Sequence, residues 1–128
     1  MKKIILFSFL FISTLGYSQV FVNKIDINNR YLQYVEVWEK PMSDDAKYYA
    51  MVDYGQMNDT KEDTDGNALI LTNAKGKKME FNGIVDALNF MYRNGWEVLQ
   101  PKNIDGYESF IMKRREGYIM PSAGMSKN

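Results

Sequence analysis

The sequence predicts an α+β fold, in which an antiparallel sheet of four to five strands packs against one amphipathic helix. Two runs rich in β-branched and aromatic residues come first, a helix with one apolar stripe follows, and two further strand-like runs complete the pattern. The chain has 128 residues, of which 45% are hydrophobic and 25% charged, so we expect one domain with one core. We place this domain at residues 19–115.

The first 18 residues have the pattern of a secretory signal peptide. Lys2 and Lys3 precede an apolar run over residues 4–15, and Gly16 and Ser18 occupy the small-residue positions before a cleavage site. As a helix this run would measure roughly 18 Å, less than a hydrocarbon layer of about 30 Å. We therefore expect an exported protein, periplasmic or extracellular, with no stable membrane span after cleavage. Because it has no Cys, its stability must come from packing alone.

The first two strands of the domain are predicted at residues 31–39 and 47–54. Both runs alternate between two faces, and a turn containing Pro41 connects them as antiparallel neighbours. Residues 55–67 are acidic and have little apolar content, so we expect an exposed loop there. A small hairpin is predicted next, with arms at residues 68–72 and 77–81 and with Gly76 in the left-handed position of its turn.

The helix is the best-defined element of the pattern. Asn82 is predicted as its N-cap, and Asn94 followed by Gly95 is predicted to end it, with Gly95 in the left-handed conformation. This geometry would bring Trp96 back onto Met91 as a packing residue. The apolar stripe that we expect to face the sheet consists of Ile84, Ala87, Leu88 and Met91.

The last two strands are predicted at residues 96–100 and 107–114. Pro101 is expected to end the first of them, and Asp105 with Gly106 supplies the turn that leads to the second. The segment 116–128 has little periodicity and is expected to be a flexible tail.

Composition and motifs exclude several classes of chemistry. The chain has no His and no Cys, which removes the usual nucleophilic triads, thiolate chemistry and the zinc-hydrolase site. Neither phosphate-binding glycine motif is present, and no Ser lies in a recognised nucleophile motif. Sixteen basic and sixteen acidic residues leave no cationic excess for nucleic acid. We predict no catalytic residue, no metal ligand and no cofactor.

The acidic loop leaves two alternatives open. Aligning Gly66 with the invariant glycine of a helix-loop-helix calcium site puts Lys61 and Thr72 where carboxylates are required, so only an irregular calcium site would fit. Carboxylates of this loop are also the basis of the alternative that the protein is a small hydrolase. Asn58 begins a glycosylation triplet.

The first two strands carry an unusual number of aromatic residues. If rings lie on both faces of the sheet, some of them will be exposed and able to stack on a sugar or to anchor a protein. The alternative is that these rings only fill the faces of the sheet. The candidate ligand-binding residues are Tyr31, Tyr34, Trp38 and Tyr49.

A second candidate surface is cationic. Residues 113–115 are Lys, Arg and Arg, and Lys75, Lys77 and Lys78 lie on the predicted hairpin. Together these residues could form an anion-binding patch. Separately, they would protect a strand edge against aggregation.

Three segments carry a resemblance to known proteins. Residues 52–56 read Val-Asp-Tyr-Gly-Gln, residues 86–91 read Asp-Ala-Leu-Asn-Phe-Met, and the helix runs directly into Gly95-Trp96-Glu97. In the first two of these segments, and in Phe81 followed by Asn82, the chain resembles an uncharacterised family of small exported Gram-negative proteins. In the third segment, and in a last strand that ends in Lys113 and Arg114, it is similar in pattern to small bacterial strand-strand-helix-strand-strand domains of unknown function. The resemblance covers roughly residues 31–115 and implies a fold, without any catalytic residue.

These observations predict an exported, non-enzymatic binding module that uses the exposed face of its sheet. Its partner would be a protein, a glycan or a second copy of the chain. The alternatives are the carboxylate-dependent hydrolase and a self-associating structural protein of the envelope.

Overall fold

A computed structural model describes residues 18–42, 46–56 and 67–117. The predicted signal peptide through residue 17, residues 57–66 of the acidic loop and the tail beyond Gly117 lie outside the described residues. The helix and strands that are described follow in the order β1 (Phe21–Val22), β2 (Ile25–Asp26), β3 (Tyr34–Pro41), β4 (Tyr48–Asp53), β5 (Leu71–Thr72), α1 (Ile84–Arg93), β6 (Trp96–Ile104) and β7 (Tyr107–Arg114).

The α+β class is confirmed, and the strands divide between two antiparallel sheets. The four long strands that the sequence predicts form one sheet in the order β4-β3-β7-β6. The short strands form a second sheet in the order β2-β1-β5, of which the sequence predicted only the last member. Its β1–β2 hairpin turns at Asn23 and Lys24, both of which have positive φ. The sequence did not indicate this turn because it contains no glycine.

The predicted hairpin after β5 forms only in part. Gly76 has φ +85°, and the N–H of Asn73 donates to the carbonyl of Lys77 at 2.8 Å, as a turn requires. The second arm, at residues 77–81, was predicted as a strand and is not one. Phe81 instead exchanges two backbone hydrogen bonds with Tyr48 of β4, of 2.8 and 2.9 Å, so this segment covers the edge of the larger sheet.

The helix begins one residue later than predicted and ends as predicted. Its N-cap is Gly83 rather than Asn82, and the backbone N–H of Asn82 donates to the carboxylate of Asp86 at 3.0 Å. An acidic residue in the first turn is favourable there because the helix N-terminus carries a partial positive charge. At the other end Gly95 has φ +94°, and its N–H donates to the carbonyl of Tyr92 at 3.2 Å.

One hydrophobic core lies between the larger sheet, the helix and the smaller sheet. Met91 and Trp96 are both buried in it, which agrees with the predicted helix ending. Ile84 and Leu88 are partly buried and pack against the same cluster. The largest fully buried side chains are Trp96, Ile27, Ile70, Leu71, Met91, Met112, Val20, Val22, Val37 and Val52.

Strand β6 is longer than predicted, because Pro101 does not end it. Pro101 pairs with Phe110 of β7, and the strand continues to Ile104 before the turn at Asp105 and Gly106. Proline is tolerated here because β6 lies at the edge of the sheet. A register shift between Val98 and Gln100 interrupts the pairing just before it.

A buried polar cluster fastens the segment before β3 to the end of β7. Arg114 is 4% exposed and donates to the backbone carbonyls of Ile27, Asn28, Arg30 and Leu32 at 3.0–3.4 Å. Its guanidinium also lies 4.3 Å from the centre of the Trp96 ring. The indole N–H of Trp96 donates to Oδ1 of Asn28 at 2.9 Å.

Asp26 lies close to this cluster and caps the turn at Ile27–Asn29. Its carboxylate accepts a hydrogen bond from the backbone N–H of Asn28 at 3.0 Å. Burial raises the pKa of this carboxyl above its usual value, although the backbone N–H donors and the charge of Arg114 act in the opposite direction.

Candidate functional site

The larger sheet has one face on the core and one face directed away from it. Along β3, Val35 and Val37 are buried in the core, so the alternate residues Tyr34, Glu36 and Trp38 lie on the opposite side. We call this side the outer face. The pairing registers add residues of the neighbouring strands to it, and these are Tyr49, Met51, Asp53, Glu97, Gln100, Lys102, Ile104, Tyr107, Ser109, Ile111 and Lys113.

The two hairpins of this sheet separate towards one end. Pairing between β3 and β7 stops at Val37 and Phe110. Beyond that point β3 continues to Pro41 with β4 as its partner, whereas among the described residues β6 is the only partner of residues 107–109 of β7. A gap between the two hairpins therefore opens at this end of the outer face.

A groove of about 200 Å³ lies at this gap. Lys102 of β6 and Ser109 of β7 are paired in this region, and the hydroxyl of Ser109 reaches Glu36 of β3. The residues that line the groove are Glu36, Trp38, Lys102, Ile104, Tyr107, Glu108 and Ser109.

Three of these side chains form a hydrogen-bonded cluster. Oε1 of Glu36 accepts from the hydroxyl of Ser109 at 2.7 Å and from Nζ of Lys102 at 3.2 Å, and Oε2 lies 3.5 Å from the same ammonium. Glu36 and Lys102 thus neutralise each other across β7. Each group keeps hydrogen-bonding capacity, since a carboxylate has about four acceptor positions, an ammonium three donors and a hydroxyl two lone pairs.

Apolar surface borders this cluster. Trp38 is partly exposed, Ile104 is exposed, and Tyr107 is 80% exposed. Tyr107 and Ile104 face each other across the two-residue turn of the β6–β7 hairpin. The groove therefore combines aromatic surface with groups that both donate and accept hydrogen bonds.

Three of the four predicted binding residues share the outer face, and one of them lines the groove. Trp38 is a groove residue. Tyr34 lies on the same face at the other end of β3 and is 56% exposed, and Tyr49 lies on β4 with the ammonium of Lys78 5.4 Å from its ring centre. Tyr31 is exposed but precedes β3, so it belongs to no strand.

Sequence reasoning missed the polar half of the groove. Glu36, Lys102 and Ser109 come from three strands, and Lys102 lies beyond Pro101, where the strand was expected to have ended. The alternation of β3 already placed Glu36 on the side of Trp38, which was the one available signal.

One member of the candidate cationic patch does not reach the surface. Arg114 is buried in the core rather than exposed. Lys113 lies 3.6 Å from the carboxylate of Glu97, and the guanidinium of Arg115 lies 4.5 Å from the ring centre of Tyr92. The strand alternation explains the burial of Arg114, because it turns this residue inward between two neighbours that face outward.

The calcium and glycosylation hypotheses fall on residues 57–66, outside the described residues. Among the residues that the structure describes, no three Asp or Glu side chains cluster in a way that could hold a metal ion. In the same part of the chain, no helix is both long and apolar enough to cross a membrane.

No known protein family, no curated protein and no solved structure matches this chain. Its relation to the small exported Gram-negative proteins that it resembles stays a prediction.

Proposed function

We propose that the protein is an exported, non-enzymatic binding module whose ligand occupies the groove on the outer face. The single observation that supports this most strongly is the mixed lining of the groove, where Trp38 and Tyr107 flank a hydrogen-bonded Glu36, Lys102 and Ser109. Concave sites with apolar walls and a few convergent polar groups are the usual ligand sites of proteins. Export rests on the signal-peptide pattern of residues 1–18.

The alternative of a carboxylate-dependent hydrolase depends on the acidic loop, of which residues 57–66 lie outside the described residues. In the groove itself, the carboxylate of Glu36 accepts hydrogen bonds from Lys102 and Ser109. A carboxylate held by two donors is suited to orienting a ligand.

A capture experiment with matched variants tests the proposed function. The exported chain is immobilised and exposed to an envelope extract of the organism that produces it, and retained protein and carbohydrate are both quantified. Tyr107→Ser removes the ring of a groove residue that is 80% exposed, whereas Tyr92→Ser removes the ring of a helix residue that is 51% exposed. We expect Tyr107→Ser to lower the retention several-fold and Tyr92→Ser to leave it unchanged. Equal retention by both variants and the unsubstituted chain would show that the groove is not the binding site.

A further inference from the structure

We infer that the groove binds one ring of a neutral, hydroxyl-rich glycan, an inference that rests on the proposed function and names the ligand class of the same site. The face of a pyranose ring carries C–H groups that stack on aromatic surface, and its edge carries hydroxyls that both donate and accept hydrogen bonds. Trp38 and Tyr107 supply the first kind of contact, and the cluster of Glu36, Lys102 and Ser109 supplies the second.

The charges of the groove favour a neutral ligand. The ammonium of Lys102 is paired with Glu36, and Glu108 adds a second carboxylate to the same lining, so an anion would meet more negative than positive charge. A cation would find Glu36 already paired and only the exposed Glu108 as a partner, in a position screened by water and salt. Hydroxyl groups can use the donors and the acceptors of the cluster at once without disrupting the ion pair.

The size of the groove favours one ring over a whole folded partner. Its volume of about 200 Å³ is below the roughly 300–1,000 Å³ of pockets that enclose a drug-sized molecule. It is an open groove rather than an enclosed cavity, so a longer glycan chain could continue outwards from the bound ring. A single ring with about a dozen heavy atoms should bind with a Kd on the order of 1 mM.

The two tryptophans provide an internal control for the test. Trp38 lines the groove, whereas Trp96 is 0% exposed and its indole N–H is bonded to Asn28. We propose titrating the isotope-labelled exported chain with maltohexaose, cellohexaose and the tetramer of N-acetylglucosamine, and following the two indole N–H resonances, assigned with Trp38→Phe. We expect at least one of these neutral oligosaccharides to move the Trp38 resonance with a saturating curve, while the Trp96 resonance stays in place.

Variants and competing ligands separate the outcomes. Tyr107→Ser and Trp38→Ala should weaken the binding at least tenfold, and Tyr92→Ser should not change it. Because Tyr107 is 80% exposed, Tyr107→Ser should fold normally and remains informative even if Trp38→Ala folds poorly. Failure of all three oligosaccharides at about ten times the expected Kd would overturn the inference. So would tighter binding of hexalysine or of hexagalacturonate than of the neutral oligosaccharides. If the glycans fail while Tyr107→Ser still reduces capture from the envelope extract, the glycan inference alone is wrong. If both experiments fail, the proposed function is wrong as well.

Discussion

Arg114 shows how one residue can hold two parts of the fold together. Its guanidinium reaches the carbonyls of a loop that is about 85 residues away in sequence, and it stacks on Trp96 at the same time. A planar group with five N–H donors can satisfy several carbonyls at once, which a lysine ammonium on a flexible chain does less well. The carbonyls in turn compensate the burial of a positive charge.

Replacing Arg114 with Met should therefore destabilise the protein strongly. The variant keeps much of the volume but leaves several buried carbonyls without their donor, which should cost about 3 kcal/mol or more. The free energy of unfolding is measured by urea denaturation. The matched control is Lys113→Met, which removes a partly exposed cation from the adjacent position and should cost less than about 1 kcal/mol. Equal losses in the two variants would contradict the structural role assigned to Arg114.

At the scale of elements, the end of the helix determines how β6 enters the sheet. Gly95 has φ +94°, and the next residue is the fully buried Trp96. An L-residue with a side chain avoids this conformation because its Cβ crowds the neighbouring carbonyl oxygen. The glycine thus lets the chain reverse within two residues and deliver Trp96 to the core.

Gly95→Ala should lower the free energy of unfolding by about 1–2 kcal/mol, because alanine is strained at positive φ. The same substitution at Gly83 is the control. Gly83 has an extended φ of 163°, and no described atom beyond its chain neighbours lies within 4 Å of a Cβ placed there. Because Gly83 is the N-cap, where glycine is favoured over alanine, we expect Gly83→Ala to lower the stability by about 0.5–1 kcal/mol in the same denaturation experiment, which is less than the loss in Gly95→Ala. A Gly95→Ala variant as stable as Gly83→Ala would show that the left-handed turn is not needed.

The sequence predicted the turns and helix ends that are marked by residues able to adopt positive φ. The helix end at Gly95 and the turn at Asp105 and Gly106 were predicted correctly, because their residues tolerate the required positive φ. The β1–β2 hairpin was missed because its strands have two residues each and its turn contains no glycine. The end of β6 was misplaced because tolerance of Pro101 depends on the edge position of that strand, which only the finished sheet defines.

The groove depends on how the strands of the larger sheet pair with one another, which the sequence of any one strand does not determine. It exists because β3 and β7 stop pairing at Val37 and Phe110 while each continues with its other neighbour. Trp38 was predicted as a candidate because its residue type is informative by itself. Lys102 and Ser109 could not be predicted, since their role depends on a register between strands that are distant from β3 in sequence.

The two edges of the larger sheet are protected in different ways. The edge at β4 is covered through the bridges of Tyr48 to Phe81 and of Met51 to Ile70. Strand β6 forms the other edge and, within the described residues, pairs only with β7. It is nine residues long and exposes Val98, Leu99 and Ile104, which would ordinarily invite pairing with a second copy. The register shift beside Leu99 and the missing N–H of Pro101 interrupt this edge.

We expect Pro101→Val to promote self-association. The substitution restores a backbone donor and adds a β-branched residue in the middle of the edge strand. Sedimentation velocity over a range of concentrations should show dimers or larger species at concentrations where the unsubstituted chain is monomeric. Gln100→Val is the control, because it adds the same side chain to the same strand without removing the proline, and it should remain monomeric.

Association of Gln100→Val to the same extent would attribute the effect to hydrophobicity rather than to Pro101. If the unsubstituted chain itself associates and Pro101→Val makes no difference, the β6 edge is not the protected surface. The contacts between copies would then have to lie on another surface, and the outer face of the larger sheet would be the first candidate. This result would favour the alternative of a self-associating envelope protein over a module that binds a separate ligand.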